Sequence, residues 1–231
     1  MLPGDIPGGF DGLELVVDDL TAGQSDSNDE FAGQPECKHM EEGLPVAALT
    51  TGAFNLFSLA NSDGGIQKDA LNYFTELLRC VSSHKDETAS IAGKIVVIGA
   101  NSVAIAEQTP LQSYQRSFNL VFKSLEILTR TADELKVYLA LENPADQLLL
   151  SPLELRELLN AINNPYIGLA FNPSHAQQLG SAIDWLGILG RHCMVMRVLL
   201  EDSTCLENNT AWHDVIDEFR RHDPVRPVIY Y

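Results

Sequence analysis

The chain has 231 residues, 45% of them hydrophobic, and a formal net charge of −17 at pH 7. That length can bury a substantial core, and the chain reads as a single domain. A surface this acidic repels phosphates, which excludes nucleic acid and anionic membranes as partners and says little about a small-molecule ligand.

The first strand is expected over 10–17, where Phe10-Asp-Gly-Leu-Glu14-Leu-Val-Val17 combines apolar residues with a Glu near its end. Residues 18–42 are rich in Asp, Glu, Ser, Gly and Gln and poor in large apolar residues, so an acidic loop or disordered insertion is expected. Val46 to Thr50 reads as a second strand, followed by a polar, glycine-containing loop through Gly65. From Asp69 to Val81, Leu71, Phe74, Leu77, Leu78 and Val81 repeat at helical spacing. Lys94 to Ile98 is a buried strand. Asn101 just beyond it is a rim residue that could reach a ligand.

A long helix is expected over 113–135, then a strand over 137–141 that delivers Glu142, Asn143 and Pro144. Ser151-Pro152-Leu-Glu154 has the form of a capping box with Pro at the first helical position, and Asn163-Asn-Pro165 stops that helix. A strand over 167–171 leads into Asn172-Pro-Ser-His175. A short helix around 183–189 and a strand over 193–200 containing Arg197 follow. A helix from Thr210 carries Trp212, Val215, Ile216 and Phe219, and a last strand closes the chain at 225–231. Trp185 and Trp212 sit at positions expected to pack on the sheet. His192, His213 and His222 show no paired carboxylate spacing and read as surface.

About seven strands alternating with helices define an α/β protein of parallel strands joined by right-handed crossovers. A doubly wound sheet and a (β/α)₈ TIM-type barrel both fit that alternation. In either, polar residues after the C-terminal ends of strands build the site, which nominates Glu142, Asn172 and His175. The four cysteines, 37, 80, 193 and 205, form no Cys-x-x-Cys pair and are expected as free thiols. The opening residues lack a basic stretch followed by an apolar run, and no apolar run reaches spanning length. The expectation is therefore a cytoplasmic protein outside the membrane. No phosphate-binding glycine loop and no nucleophile elbow is present.

Four segments together resemble the xylose isomerase-like TIM barrel family, which includes sugar phosphate isomerases and epimerases and the AP endonuclease-type barrels. They are Gly9-Phe-Asp-Gly-Leu-Glu14-Leu, Leu139-Ala-Leu-Glu142-Asn143, the helix of Ser151 to Leu159, and Ile167-Gly-Leu-Ala-Phe-Asn172-Pro-Ser-His175-Ala. The resemblance implies that the strand at 10–17 is the family's second and that 228–231 is its eighth. The first strand would then be absent, and an incomplete barrel with an open seam is expected, covered by the acidic insertion, by a second copy in a homo-oligomer, or by nothing.

The resemblance also implies a divalent cation (Mn, Mg or Zn) held by a Glu, an Asp, a His and a final Glu. Glu142 matches the first ligand and is the candidate catalytic carboxylate, with His175 beside it as the second metal candidate. Asn172 stands where the Asp would be, Arg197 or Met196 where the His would be, and the chain ends in Tyr230-Tyr231 where the last Glu is expected. Asn offers only a neutral oxygen and Arg cannot ligate a metal. The implied function is thus a sugar phosphate isomerase/epimerase-like barrel acting on or binding a small sugar-like molecule over a degenerate metal site. Asn172, His175, Arg197, Glu14 and Asn101 would be its substrate contacts. The alternative is a non-catalytic barrel for a small polar ligand or a protein partner, with no cofactor. The acidic surface and sparse metal ligands disfavour AP endonuclease activity.

Overall fold

In a computed structural model of the chain, residues 11–17, 46–51, 58–83, 94–99, 113–144, 148–199 and 210–230 are described. The strands are β1 (Gly12–Val17), β2 (Val46–Thr51), β3 (Ile95–Ile98), β4 (Tyr138–Glu142), β5 (Ile167–Phe171), β6 (Cys193–Val198) and β7 (Val228–Tyr230). The helices are α1 (Gly64–Ser83), α2 (Tyr114–Leu135), α3 (Pro152–Ile162), α4 (Pro173–Leu179), α5 (Ala182–Leu189) and α6 (Thr210–His222). The acidic segment 18–42 and Asn101 lie outside the described residues.

All pairings are parallel and follow chain order, and β7 pairs with β1 to close a seven-stranded barrel. The expected open seam is therefore absent: Gly12 stands opposite Ile229 and Leu13 opposite Tyr230. Closing on seven strands removes both free edges, which is the usual gain of a barrel, and narrows the lumen.

The residues inside reflect that narrowness. Buried apolar side chains fall into two groups. One joins sheet and helices, with Val96, Ile98, Leu139, Leu141, Leu169, Phe171 and Met196 packed against Phe74, Leu77, Leu125, Leu128, Leu155 and Trp185. The other contains strand residues alone, among them Ala48, Val97, Ala140, Ala170, Val195 and Ile229. Strand side chains alternate between faces, so the second group fills the lumen, and three of those six are alanines. At Gly168 an added Cβ would lie 2.5 Å from the His192 carbonyl oxygen and 2.7 Å from Met194 Cγ, so the backbone there needs glycine.

Local chemistry sets the helix ends. Ser113, Ser151 and Ser181 cap α2, α3 and α5, each accepting a backbone N–H. Asn163 ends α3 in the left-handed conformation at φ 48°. Only half of the expected capping box forms. Ser151 accepts from Leu153 N, but the Glu154 carboxylate takes a hydrogen bond from Tyr114 Oη at 2.6 Å. Tyr114 in turn accepts from Leu149 N, so this phenol ties the start of α2 to the start of α3.

Two further expectations need correction. Cys193 is a free, buried thiol, but Cys80 is disulfide-bonded, which the spacing of the cysteines does not reveal. His192 is half-buried rather than on the surface. It lines a cavity of about 240 Å³ at the N-terminal end of the barrel with Tyr138, Asn164, Arg191, Asp223 and Arg226. Burial lowers its pKa, and Arg191, Arg156 and Arg226 lower it further. Among the described residues, no helix is long and apolar enough to cross a membrane.

Candidate active site at the C-terminal rim

Three strands deliver charge to one place inside the barrel. Glu14 comes from β1, Glu142 from the last residue of β4, and Arg197 from β6. All three are buried, and Arg197 is the largest fully buried side chain of the described residues. The register of β1 against β2 shifts between Leu13 and Glu14, an irregularity of the kind that re-aims a side chain beside a site.

Arg197 bridges the two carboxylates. Its Nε and Nη2 donate to Glu14 Oε2 and Oε1 at 2.5 and 2.7 Å, a bidentate fork. Its Nη1 lies 2.7 Å from Glu142 Oε1 as an ion pair, off the line of a hydrogen bond. Burial pushes the Glu14 carboxyl above the usual carboxylate range. The Arg197 charge and its hydrogen bonds oppose that shift, and the nearby Glu142 charge adds to it. Desolvation therefore outweighs the pairing at this residue.

A second layer of contacts holds the other face of Glu142. Asn172 Nδ2 donates to Glu142 Oε1 at 2.8 Å. Asn172 is also the N-cap of α4, its Oδ1 accepting from His175 N at 3.2 Å, with Pro173 at the first helical position. Sequence reading stopped at the strand and missed α4, although Asn-Pro is a recognisable helix start. Asn143 locks the ends of β4 and β5 together: its Oδ1 accepts from Asn172 N at 2.6 Å and its Nδ2 donates to Asn172 O at 3.0 Å. The His175 ring sits 2.9 Å from the Asn143 carbonyl oxygen through Nδ1. A carbonyl only accepts, so the neutral imidazole carries its proton on Nδ1 and leaves Nε2 as an acceptor. His175 Nδ1 is 3.8 Å from Glu142 Oε1.

The structure thus brings Glu14, Glu142, Asn172, His175 and Arg197 to one rim. It spends the fork of Arg197 on Glu14, a pairing that sequence reading did not make. The residues present do not fit a divalent cation. Arg197 sets a guanidinium against Glu142, the one carboxylate of the implied ligand set that is present, and a guanidinium cannot ligate a metal. Among the described residues, no group of three or more His, Cys, Asp or Glu is arranged to hold a metal.

A seven-stranded parallel barrel with a buried carboxylate–guanidinium–carboxylate bridge at its C-terminal rim defines a TIM-type barrel with a buried polar site. The family model of the xylose isomerase-like TIM barrel matches residues 8–222, and the chain belongs to that family. No curated protein matches it by sequence. Among solved structures it is similar to the apo form of the 3-keto-D-glucoside 4-epimerase YcjR from E. coli. The TM-score is 0.65 at 14% identity, over 82% of this chain and 72% of that one. It is also similar to D-psicose 3-epimerase from Clostridium cellulolyticum H10, solved with D-tagatose (TM-score 0.64, 13% identity, 79% and 62% coverage). A xylose isomerase-like barrel from Mycobacterium smegmatis, solved in complex with magnesium, gives a TM-score of 0.59 at 12% identity, with 81% and 66% coverage. The chain thus spans less than two thirds of the length of the psicose epimerase and the magnesium complex. Likeness at these identities establishes the fold.

Proposed function

We propose that the C-terminal rim binds a small, sugar-like polyhydroxylated molecule through Glu142 and His175, over the degenerate remnant of a metal site. The observation that carries this reading is the cluster of Glu142, Asn172 and His175. The His175 side chain is 25% exposed and opens to the rim, the Glu142 carboxylate lies beneath it at 7% exposed, and Asn172 and Asn143 fix the two in place. Sugar hydroxyls both donate and accept. A carboxylate acceptor beside an imidazole of defined tautomer suits one or two adjacent hydroxyls. The sugar epimerases of similar fold support a sugar as the ligand class. Arg197 lies in the floor, where it sets the charge and position of Glu142.

A non-catalytic form of this reading is favoured by one specific observation. The group between the carboxylates is a fixed guanidinium with its fork already committed, so metal-assisted polarisation of a substrate carbonyl has no place among these residues. Calorimetric titration with ketoses and sugar phosphates, with and without EDTA, tests the proposal. Binding unaffected by EDTA and weakened at least about tenfold by Glu142→Gln or His175→Ala is expected. Absence of sugar binding, or binding indifferent to both substitutions, overturns it. Epimerase activity abolished by chelator would overturn the non-catalytic form.

A further inference from the structure

We infer that the cavity at the N-terminal end of the barrel binds a small organic anion, a carboxylate or a phosphate ester, through Arg191 and His192. It lies at the other end of the strands from the rim that holds Glu142, so it stands or falls apart from the sugar-binding reading.

The cavity of about 240 Å³ is floored by the first residues of three neighbouring strands: Tyr138 of β4, Ile167 of β5, and Cys193 and Met194 of β6. Arg191 and His192 line one side, and Asp223 and Arg226 from the turn between α6 and β7 line another. Aromatic, aliphatic and thioether surface therefore shares one small space with cations. That combination suits a ligand with a short carbon body and an anionic group.

The cations there are not all spent. Arg226 is committed: its Nε pairs with Asp223 Oδ2 at 3.2 Å, and its Nη1 and Nη2 donate to the Gly190 and Arg191 carbonyl oxygens at 2.7 and 3.3 Å. It builds the wall and neutralises the carboxylate beside it. Arg191 donates from Nε to His192 Nε2 at 3.1 Å and from Nη2 to Asn160 Oδ1 at 2.8 Å. Both acceptors are neutral. Among the described residues Arg191 has no carboxylate partner, and neither has Arg156, whose charge also reaches His192. Because His192 Nε2 accepts, the ring carries its proton on Nδ1. Arg191 Nη1 and His192 Nδ1–H are left as donors with no partner among the described residues.

Two unbalanced guanidinium charges beside a neutral imidazole make a local positive field in a chain of net charge −17. Low-dielectric walls focus such a field on whatever enters. A small anion inside the cavity meets those charges and two donors, whereas a polyanion meets the acidic surface first. A bound anion also offsets the arginines that hold His192 neutral, so the ring gains proton affinity when the site fills.

The test uses the full chain in chloride-free Hepes buffer, titrated separately with inorganic phosphate and with succinate by calorimetry. The His192 ring is followed by NMR, its signal assigned by its loss in His192→Gln. At least one anion is expected to bind at one equivalent, with affinity lowered at least about tenfold by Arg191→Gln and unchanged by Glu142→Gln at the rim. Binding by either anion on those terms supports the inference and identifies the anionic group. The same anion at saturation is expected to raise the His192 pKa and the Tm of the wild type, and to leave the Tm of R191Q unmoved. Arg191 is exposed, so its loss is expected to leave the fold intact. Failure of both anions to bind overturns the inference, as does binding indifferent to R191Q or a His192 pKa that the bound anion does not raise. If R191Q does not fold, Arg156→Gln is read instead: weaker binding supports the inference and unchanged binding overturns it.

Discussion

Replacing Arg197 with methionine keeps most of the side-chain volume and removes the charge that joins β1, β4 and β6. In the native barrel that charge makes two hydrogen bonds to Glu14, at 2.5 and 2.7 Å, and a 2.7 Å ion pair with Glu142, all with the participating side chains at most 7% exposed. Loss of one partner from a buried ion pair costs about 3–5 kcal/mol, because the remaining charge stays desolvated. For a chain of this size each kcal/mol lowers Tm by roughly 2–4 °C, so a drop of roughly 6–20 °C is expected by calorimetry near neutral pH.

Acidity supplies a second check on the same variant. Glu14 already has its pKa raised by burial against the opposing pull of Arg197. A carboxyl raised in the folded state contributes stability that is present below its unfolded pKa and is lost as pH rises through the folded value. Without Arg197 that carboxyl moves higher still. The deficit of R197M should therefore be full near neutrality and narrow as pH falls into the carboxylate range. Glu14→Gln in the R197M background should recover part of the loss at neutral pH. A loss under about 1 kcal/mol, the size of an exposed pair, or a deficit that does not narrow on acidification, would refute the reasoning.

Asn143→Ala should cost about 1–3 kcal/mol in urea unfolding, since it removes the side-chain acceptor of the buried Asn172 N–H. The same change should weaken sugar binding by loosening Asn172, whose side chain holds Glu142. Gly168→Ala should destabilise by about 1–3 kcal/mol, because the new methyl meets a backbone carbonyl rather than a yielding side chain; a melt unchanged from wild type would contradict the described packing. The Cys193 thiol, with its pKa pushed up to about 12 by burial, should resist iodoacetamide in the native protein at mildly alkaline pH and react on unfolding, followed by peptide mass.

Much of this architecture is legible in the chain because its causes are local. The alternation of strands and helices, the helix started by Ser151-Pro152 and the stop at Asn163 each depend on residues within a few positions of one another. The motif around Glu142 and the one around His175 are equally local, and they nominate a rim before any coordinates are known. The capping box was half wrong because Tyr114, forty residues from Glu154, competes for that carboxylate. Helix α4 was missed although its Asn172-Pro173 signal was in view.

Closure and charge pairing were decided elsewhere. Whether seven strands leave a seam depends on whether β7 can reach β1 with matching register, and the small lumen side chains Ala48, Ala140 and Ala170 suit the narrower ring that results. The partnership of Arg197 with Glu14 joins residues 183 positions apart. Sequence pattern carries no record of such a contact, since only the closed barrel brings the two strands to the same lumen. By itself, the chain specified most of its elements and its family. The tertiary structure decided which of those residues neutralise one another, because electrostatic partners inside a barrel are chosen by strand register and burial, not by distance along the chain.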